Sequence, residues 1–175
     1  MKPSMRHYTF KYRSQNRGFT LIELLIVVAI IAVLSSIVLI GLGPTQRAGR
    51  DARRIADLRQ VQTALELYFN KCGYYPGSPE PNPTCGGFSP ITTWQEVRAS
   101  LLGTGLGITQ VPNDPGSGRN YYYGTTDVSG SGYVLGAQLE DQNNPALRDS
   151  FQAGSGTPVP PSVPCGTPGV YCVAL

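Results

Sequence analysis

Histidine is almost missing from this chain: the only one among 175 residues is His7. After that position no imidazole can act as a general base, a metal ligand or the partner of an activated serine or cysteine. Charge is scarce as well, at 14% of residues against about 25% in ordinary soluble domains. The 21 glycines form neither a G-x-G-x-x-G nor a Walker A run, so they carry no phosphate-binding signature. EF-hand spacing is absent, and the cysteines do not fall in the closely spaced pairs that zinc prefers. No spacing singles out two carboxylates for acid–base work. Together these absences argue against an enzyme.

What the chain does have is one long uncharged run. From Leu24 to Leu42, 19 residues carry no charge. As a helix rising about 1.5 Å per residue, the run nearly matches the roughly 30 Å hydrocarbon core of a bilayer. Glu23 stands alone at its entrance. Before it, residues 1–18 carry Lys2, Arg6, Lys11, Arg13 and Arg17 and no acid, so the net charge of +3 sums a +5 leader and a −2 remainder. Loss of that leader would remove the basic balance, and nucleic acid is not an expected partner. Arg47, Arg50 and Arg54 could form a stripe, but Asp51 and Asp57 interleave with them and stacking aromatics are missing. They read as a solvated or inter-subunit salt-bridged face. Five basic residues precede the apolar run and five closely follow it, so the positive-inside rule gives no orientation.

Gly41, Gly43 and Pro44 interrupt the run, where proline loosens or kinks a helix. The periodicity then resumes at Ala48, Ala52, Ile55, Leu58, Val61, Leu65 and Tyr68, one apolar helical face. The expectation is one helix from Phe19 to about Cys72, ended near Gly73, its first half lipid-like and its second half amphipathic. Residues 73–90 read as loop. Thr93-x-x-Glu96 is a capping box that starts a short helix over 93–102. Strands are expected at 120–125 and 132–140, joined by a turn at 127–131, the second strand placing Tyr133, Leu135, Ala137 and Leu139 on one face. A Pro-, Gly- and Ser-rich tail leads to a last short strand at 170–175. Cys72, Cys85, Cys165 and Cys172 all follow the apolar run, an even count that suggests disulfides and an oxidising compartment. Short intervening loops favour sequential pairing, Cys72 with Cys85 and Cys165 with Cys172. No metal site is expected, although Asp141, Asn143, Asn144 and Asp149 could offer oxygens to calcium.

The block Gly18-Phe19-Thr20-Leu21-Ile22-Glu23, with the apolar run behind it, resembles the processing site of type IV prepilins. That pilin-like family includes the pseudopilins of type II secretion. The candidate cleavage site precedes the apolar run, the reverse of a secretory signal peptide, so the anchor would stay in the mature chain. The resemblance implies cleavage after Gly18 by a prepilin peptidase, a new and N-methylated terminus at Phe19, and Glu23 as an assembly residue that pairs with a neighbouring subunit's terminal amine. It implies an α+β, pilin-like fold, with one long N-terminal helix packed on a small antiparallel β-sheet head. The parts would be a basic leader (1–18), a transmembrane or filament-core half-helix (19–43), an amphipathic half-helix (44–72) and a loop-rich head (73–175). The function implied is that of a structural subunit of a type IV pilus or type II secretion-like pseudopilus. Its partners would be other pilin-like subunits in a homo-oligomeric filament, the peptidase, an inner-membrane assembly platform and, before assembly, membrane lipid. The chain would cross the inner membrane once with its head outside, then enter an extracellular pilus or periplasmic pseudopilus. Some pseudopilins that resemble it bind calcium in the head. The rival reading is a single-pass membrane-anchored extracytoplasmic binding module.

Overall fold

The computed structural model describes residues 18–77, 85, 91, 93–152, 156 and 158–175, except the side chains of residues 37–41. The expected leader, up to residue 17, lies outside them. The element order is α1 (Leu21–Cys72), α2 (Trp94–Gly103), β1 (Tyr122–Thr125), β2 (Tyr133–Gln138), a 3-10 helix (Pro145–Asp149) and β3 (Val170–Ala174). The long helix and small sheet make the fold α+β and pilin-like. The chain divides into two compact units, Met1–Leu42 and Gly43–Leu175, and α1 contributes to both. Its helical assignment runs through Pro44, so the expected interruption does not end it.

In the first unit the described side chains from Phe19 to Ser36 are exposed on every side of the helix. Leu21 is 84% exposed, Ile22 65% and Leu34 59%. A helix apolar all round has no stable place in water and calls for an apolar surrounding. Among the described residues, no helix is long and apolar enough to cross a membrane. The uncharged run of the sequence continues into residues 37–41, whose side chains are not described.

In the second unit Leu58, Val61, Leu65, Tyr68 and Cys72 form the inner stripe of α1 and share one core with Tyr121, Tyr123, Tyr133, Leu135, Ala137 and Tyr171 of the sheet region. Helix α2 adds Trp94, Val97 and Leu101. Thr93 caps that helix with the expected box, its hydroxyl accepting from Glu96 N and its own N–H donating to Glu96 Oε2. The sheet is antiparallel in the order β1-β2-β3. Tyr133, Leu135 and Ala137 face α1 as their alternation requires. Val134 is also fully buried, in a second small core with Val163, Val170 and Cys172. The tail supplies this cover, and glycine makes room for it: a Cβ on Gly124 would come within 2.6 Å of Pro160 Cβ.

Both outer strands have backbone groups facing away from β2, and side chains or loop atoms from the tail meet several of them. Cys172 N donates to Ser150 Oγ at 2.9 Å and Cys172 O accepts from Phe151 N at 2.9 Å. On β1, Tyr123 O accepts from Ser162 Oγ at 3.0 Å. Disulfides join Cys72 to Cys85 and Cys165 to Cys172, each with Cα atoms 5.9 Å apart, the sequential connectivity. Cross-links of such short loops contribute about 2–4 kcal/mol each, mainly by restricting the unfolded chain.

Candidate functional site

The motif residues sit at the start of α1. Gly18, Phe19 and Thr20 precede the helix and are exposed, Phe19 to 89%. Thr20 N and Thr20 Oγ1 donate to Glu23 Oε2 at 2.9 and 2.8 Å, and Glu23 N donates back to Thr20 Oγ1 at 3.3 Å. This is a reciprocal capping box, in which a hydroxyl and a carboxylate satisfy helix-end donors that have no intrahelical partner. The sequence analysis read that signature at Thr93-x-x-Glu96 and missed it at Thr20-x-x-Glu23, where the same spacing announces it. Glu23 uses only one carboxylate oxygen in the box. A Cβ on Gly18 would meet nothing within 4 Å, and its φ is not among the positive ones. Nothing inside the described chain therefore requires glycine at position 18.

A second polar site lies inside the second unit, where the sequence led us to expect a solvated or inter-subunit salt-bridged face. Asp51 and Arg54 are both 0% exposed and Asp57 is 8% exposed, whereas Ala48 and Ala52 lie outside. Arg54 Nε and Nη2 donate to the two oxygens of Asp114 at 2.8 and 2.9 Å. Its Nη1 donates to Asp51 Oδ1 at 2.7 Å and to Glu140 Oε1 at 3.0 Å. Arg50 forks onto Glu140 at 2.7 and 2.6 Å. Asp51 further accepts from the N–H groups of Glu140 and Asp141, both at 2.9 Å, and Asp114 accepts from Gly116 N at 2.6 Å. Tyr121 donates to Asp57 Oδ2 at 2.7 Å. Every buried side-chain nitrogen and oxygen among the described residues has a partner, the condition under which burying charge is tolerable. The stripe that continues back from Leu58 thus passes through Arg54 and Asp51, at steps of four and three residues. The three-and-four spacing of Asp51, Arg54, Leu58 and Val61 was the available signal.

This cluster sets a pH dependence. Bonding to Arg50 and then to Arg54 lowers the Glu140 carboxyl from an ordinary 4.5 to about 2. The Ser131 hydroxyl and amide lower Asp127 from 3.8 to about 2. A depressed folded-state value means stability that is present above the ordinary value and lost as pH falls through the folded one. The urea midpoint should hold from neutral pH down to about 5, then fall steadily towards pH 2. Glu140→Gln should fall less steeply over that window, and an equally steep fall would mean that Glu140 contributes nothing to it.

The residues considered for calcium are engaged in local turns. Asp141 Oδ1 accepts from Asn143 N at 2.9 Å, and Asn144 Oδ1 caps the 3-10 helix through Ala146 N at 3.0 Å. Among the described residues no group of three or more His, Cys, Asp or Glu side chains is placed to hold a metal.

The family model of the prokaryotic N-terminal methylation motif matches residues 13–39, which contain Gly18, Phe19 and Glu23. The chain is 35% identical over 65 residues to the type IV major pilin protein PilA of Myxococcus xanthus (strain DK1622). That stretch is 37% of this chain, and the match spans 30% of the length of the Myxococcus protein. No solved structure matches. The likeness to type IV pilins is therefore a likeness of the N-terminal segment, and it covers less than two thirds of either chain.

Proposed function

We propose that this chain is a structural subunit of a type IV pilus or of a type II secretion-like pseudopilus, and not an enzyme. The observation that carries this reading is the N-terminal helix, whose apolar side chains from Leu21 to Leu34 are exposed all round and find no cover in their own unit. Lipid would cover them before assembly and the helices of neighbouring subunits afterwards. A prepilin peptidase would cut between Gly18 and Phe19, releasing the basic leader and leaving Phe19 as the N-methylated terminus. An inner-membrane platform would then feed the subunit into a homo-oligomeric fibre, with the disulfide-bonded head on the outside and Glu23 aligning each newcomer.

Two observations support the cleavage site. Gly18 is required by nothing in its own surroundings, as expected of a residue that meets an enzyme. The bond that follows it lies in the exposed, non-helical residues ahead of the Thr20–Glu23 box, open to a protease. The test is the N-terminus of protein taken from membranes, read by Edman sequencing and intact mass. A start at Phe19 is expected, and Gly18→Leu should accumulate the unprocessed chain. A wild-type chain that still begins at Met1, or Gly18→Leu protein processed at the wild-type rate, would overturn the assignment.

A further inference from the structure

An open pocket of about 530 Å3 lies in the head between the start of α2, the entry to β1 and Ser162. It falls within the roughly 300–1,000 Å3 usual for small-ligand sites. No carboxylate lines it. On α1, Arg50, Arg53 and Arg54 each have a carboxylate within 4.0 Å, whereas Arg98 bonds instead to Gln95 Oε1 and Val111 O and Arg148 has no carboxylate partner among the described residues. Arg119, on the wall of this pocket, has none among the described residues, and its guanidinium makes a single long bond, from Nη1 to Gln138 O at 3.5 Å. The Asn120 amide and the Tyr122 hydroxyl have no partner among the described residues. The Tyr122 ring is half-buried, and the buried Trp94 closes the wall beside Tyr121, the two rings meeting edge to face at 5.2 Å.

What sets Arg119 apart is its neighbours, an amide, a phenol and a tyrosine ring on one pocket wall. A guanidinium fork matches a carboxylate bidentately. A free amide and a free phenol both donate and accept, and so match hydroxyl groups. A tyrosine ring offers an apolar face of the size of a sugar ring. We infer that this pocket binds a uronic-acid unit of an acidic polysaccharide. Its carboxylate sits on Arg119, its ring lies against Tyr122, and its hydroxyls meet Asn120 and Gln138. The site belongs to the head and does not depend on how the N-terminal helix is used.

The chain carries its own reporter, since Trp94 is its single tryptophan. Full-length protein in detergent micelles would be titrated with tri-galacturonate, with galactotriose and inorganic phosphate as comparisons, following tryptophan emission. Tri-galacturonate should give a saturable change, with the neutral trisaccharide and phosphate each binding about tenfold more weakly or worse, the loss expected from one charge-assisted hydrogen bond. Arg119→Gln should weaken tri-galacturonate by a similar factor while leaving the circular dichroism unchanged, because that side chain is exposed. Tyr122→Ala should also weaken it. No saturable change, equal binding of phosphate or galactotriose, or indifference to Arg119→Gln would each overturn the inference.

Discussion

Arg54→Met should lower the stability of the head by about 3–5 kcal/mol, the cost of removing one partner from a buried ion pair. Typical domains have only about 5–15 kcal/mol in all, so the urea midpoint should move far or the fold should fail. The size of the effect comes from what is left behind. Asp51 and Asp114 are buried to within 1% of completely, and Glu140 to within 16%. Without the guanidinium, three carboxylates would face one another with Arg50 alone for compensation. Arg54→Lys tests the geometry, since one ammonium keeps the charge but cannot fork onto Asp114 while also reaching Asp51 and Glu140. Its stability should fall between wild type and Arg54→Met. Asp114→Asn supplies a milder variant should Arg54→Met not fold. An unchanged midpoint for both Arg54 variants would mean that the cluster contributes nothing.

Glu23→Ala should yield protein that is processed and membrane-bound but absent from sheared fibres. After cleavage the terminal amine of Phe19 would stand just ahead of the helix start at Leu21, one residue before the Thr20–Glu23 box. Both Thr20 bonds fall on Glu23 Oε2, which leaves Oε1 for an amine, in the same subunit or in a neighbour. Two roles of the carboxylate can be separated by Glu23→Gln. Glutamine serves a capping box as well as glutamate does, yet brings no charge to an amine. Glu23→Gln should therefore keep the helix start and still fail to assemble. Normal incorporation of Glu23→Gln would make the cap the operative feature, and Glu23→Ala subunits at wild-type abundance in sheared fibres would end the assembly role altogether.

Much of the architecture was legible from local signals. Thr93 and Glu96 announced α2, and the spacing from Leu58 to Tyr68 marked the buried face of the amphipathic half of α1. The alternation of Tyr133, Leu135 and Ala137 pointed β2 at the core. The second core was harder to read, because Val134 and Val170 owe their burial to a tail that carries no periodicity of its own. The Arg54 cluster was least legible. Asp114 and Glu140 lie 60 and 86 residues away in sequence, and a charged residue at an inward position reads as exposed until its partners are known. The Thr20–Glu23 box was legible in the same local way as the Thr93–Glu96 box, from its spacing alone. The motif itself carried the resemblance to prepilins, since its residues are contiguous and need no tertiary contact to be recognised.

The serines at the rims of the sheet bear on how such heads can be crowded together. Regarded as a building block, each head has some of the valences along its outer strands already filled, because Ser150, Phe151 and Ser162 occupy backbone positions open to an incoming strand. Exposed strand edges are templates for lateral, sheet-like growth. In the proposed fibre, heads stand side by side at high local concentration, the setting in which such templating is most hazardous. With those rims occupied, polymerisation is left to the N-terminal helices and runs along one dimension. Thread and felt would then differ by a few hydroxyl and amide groups.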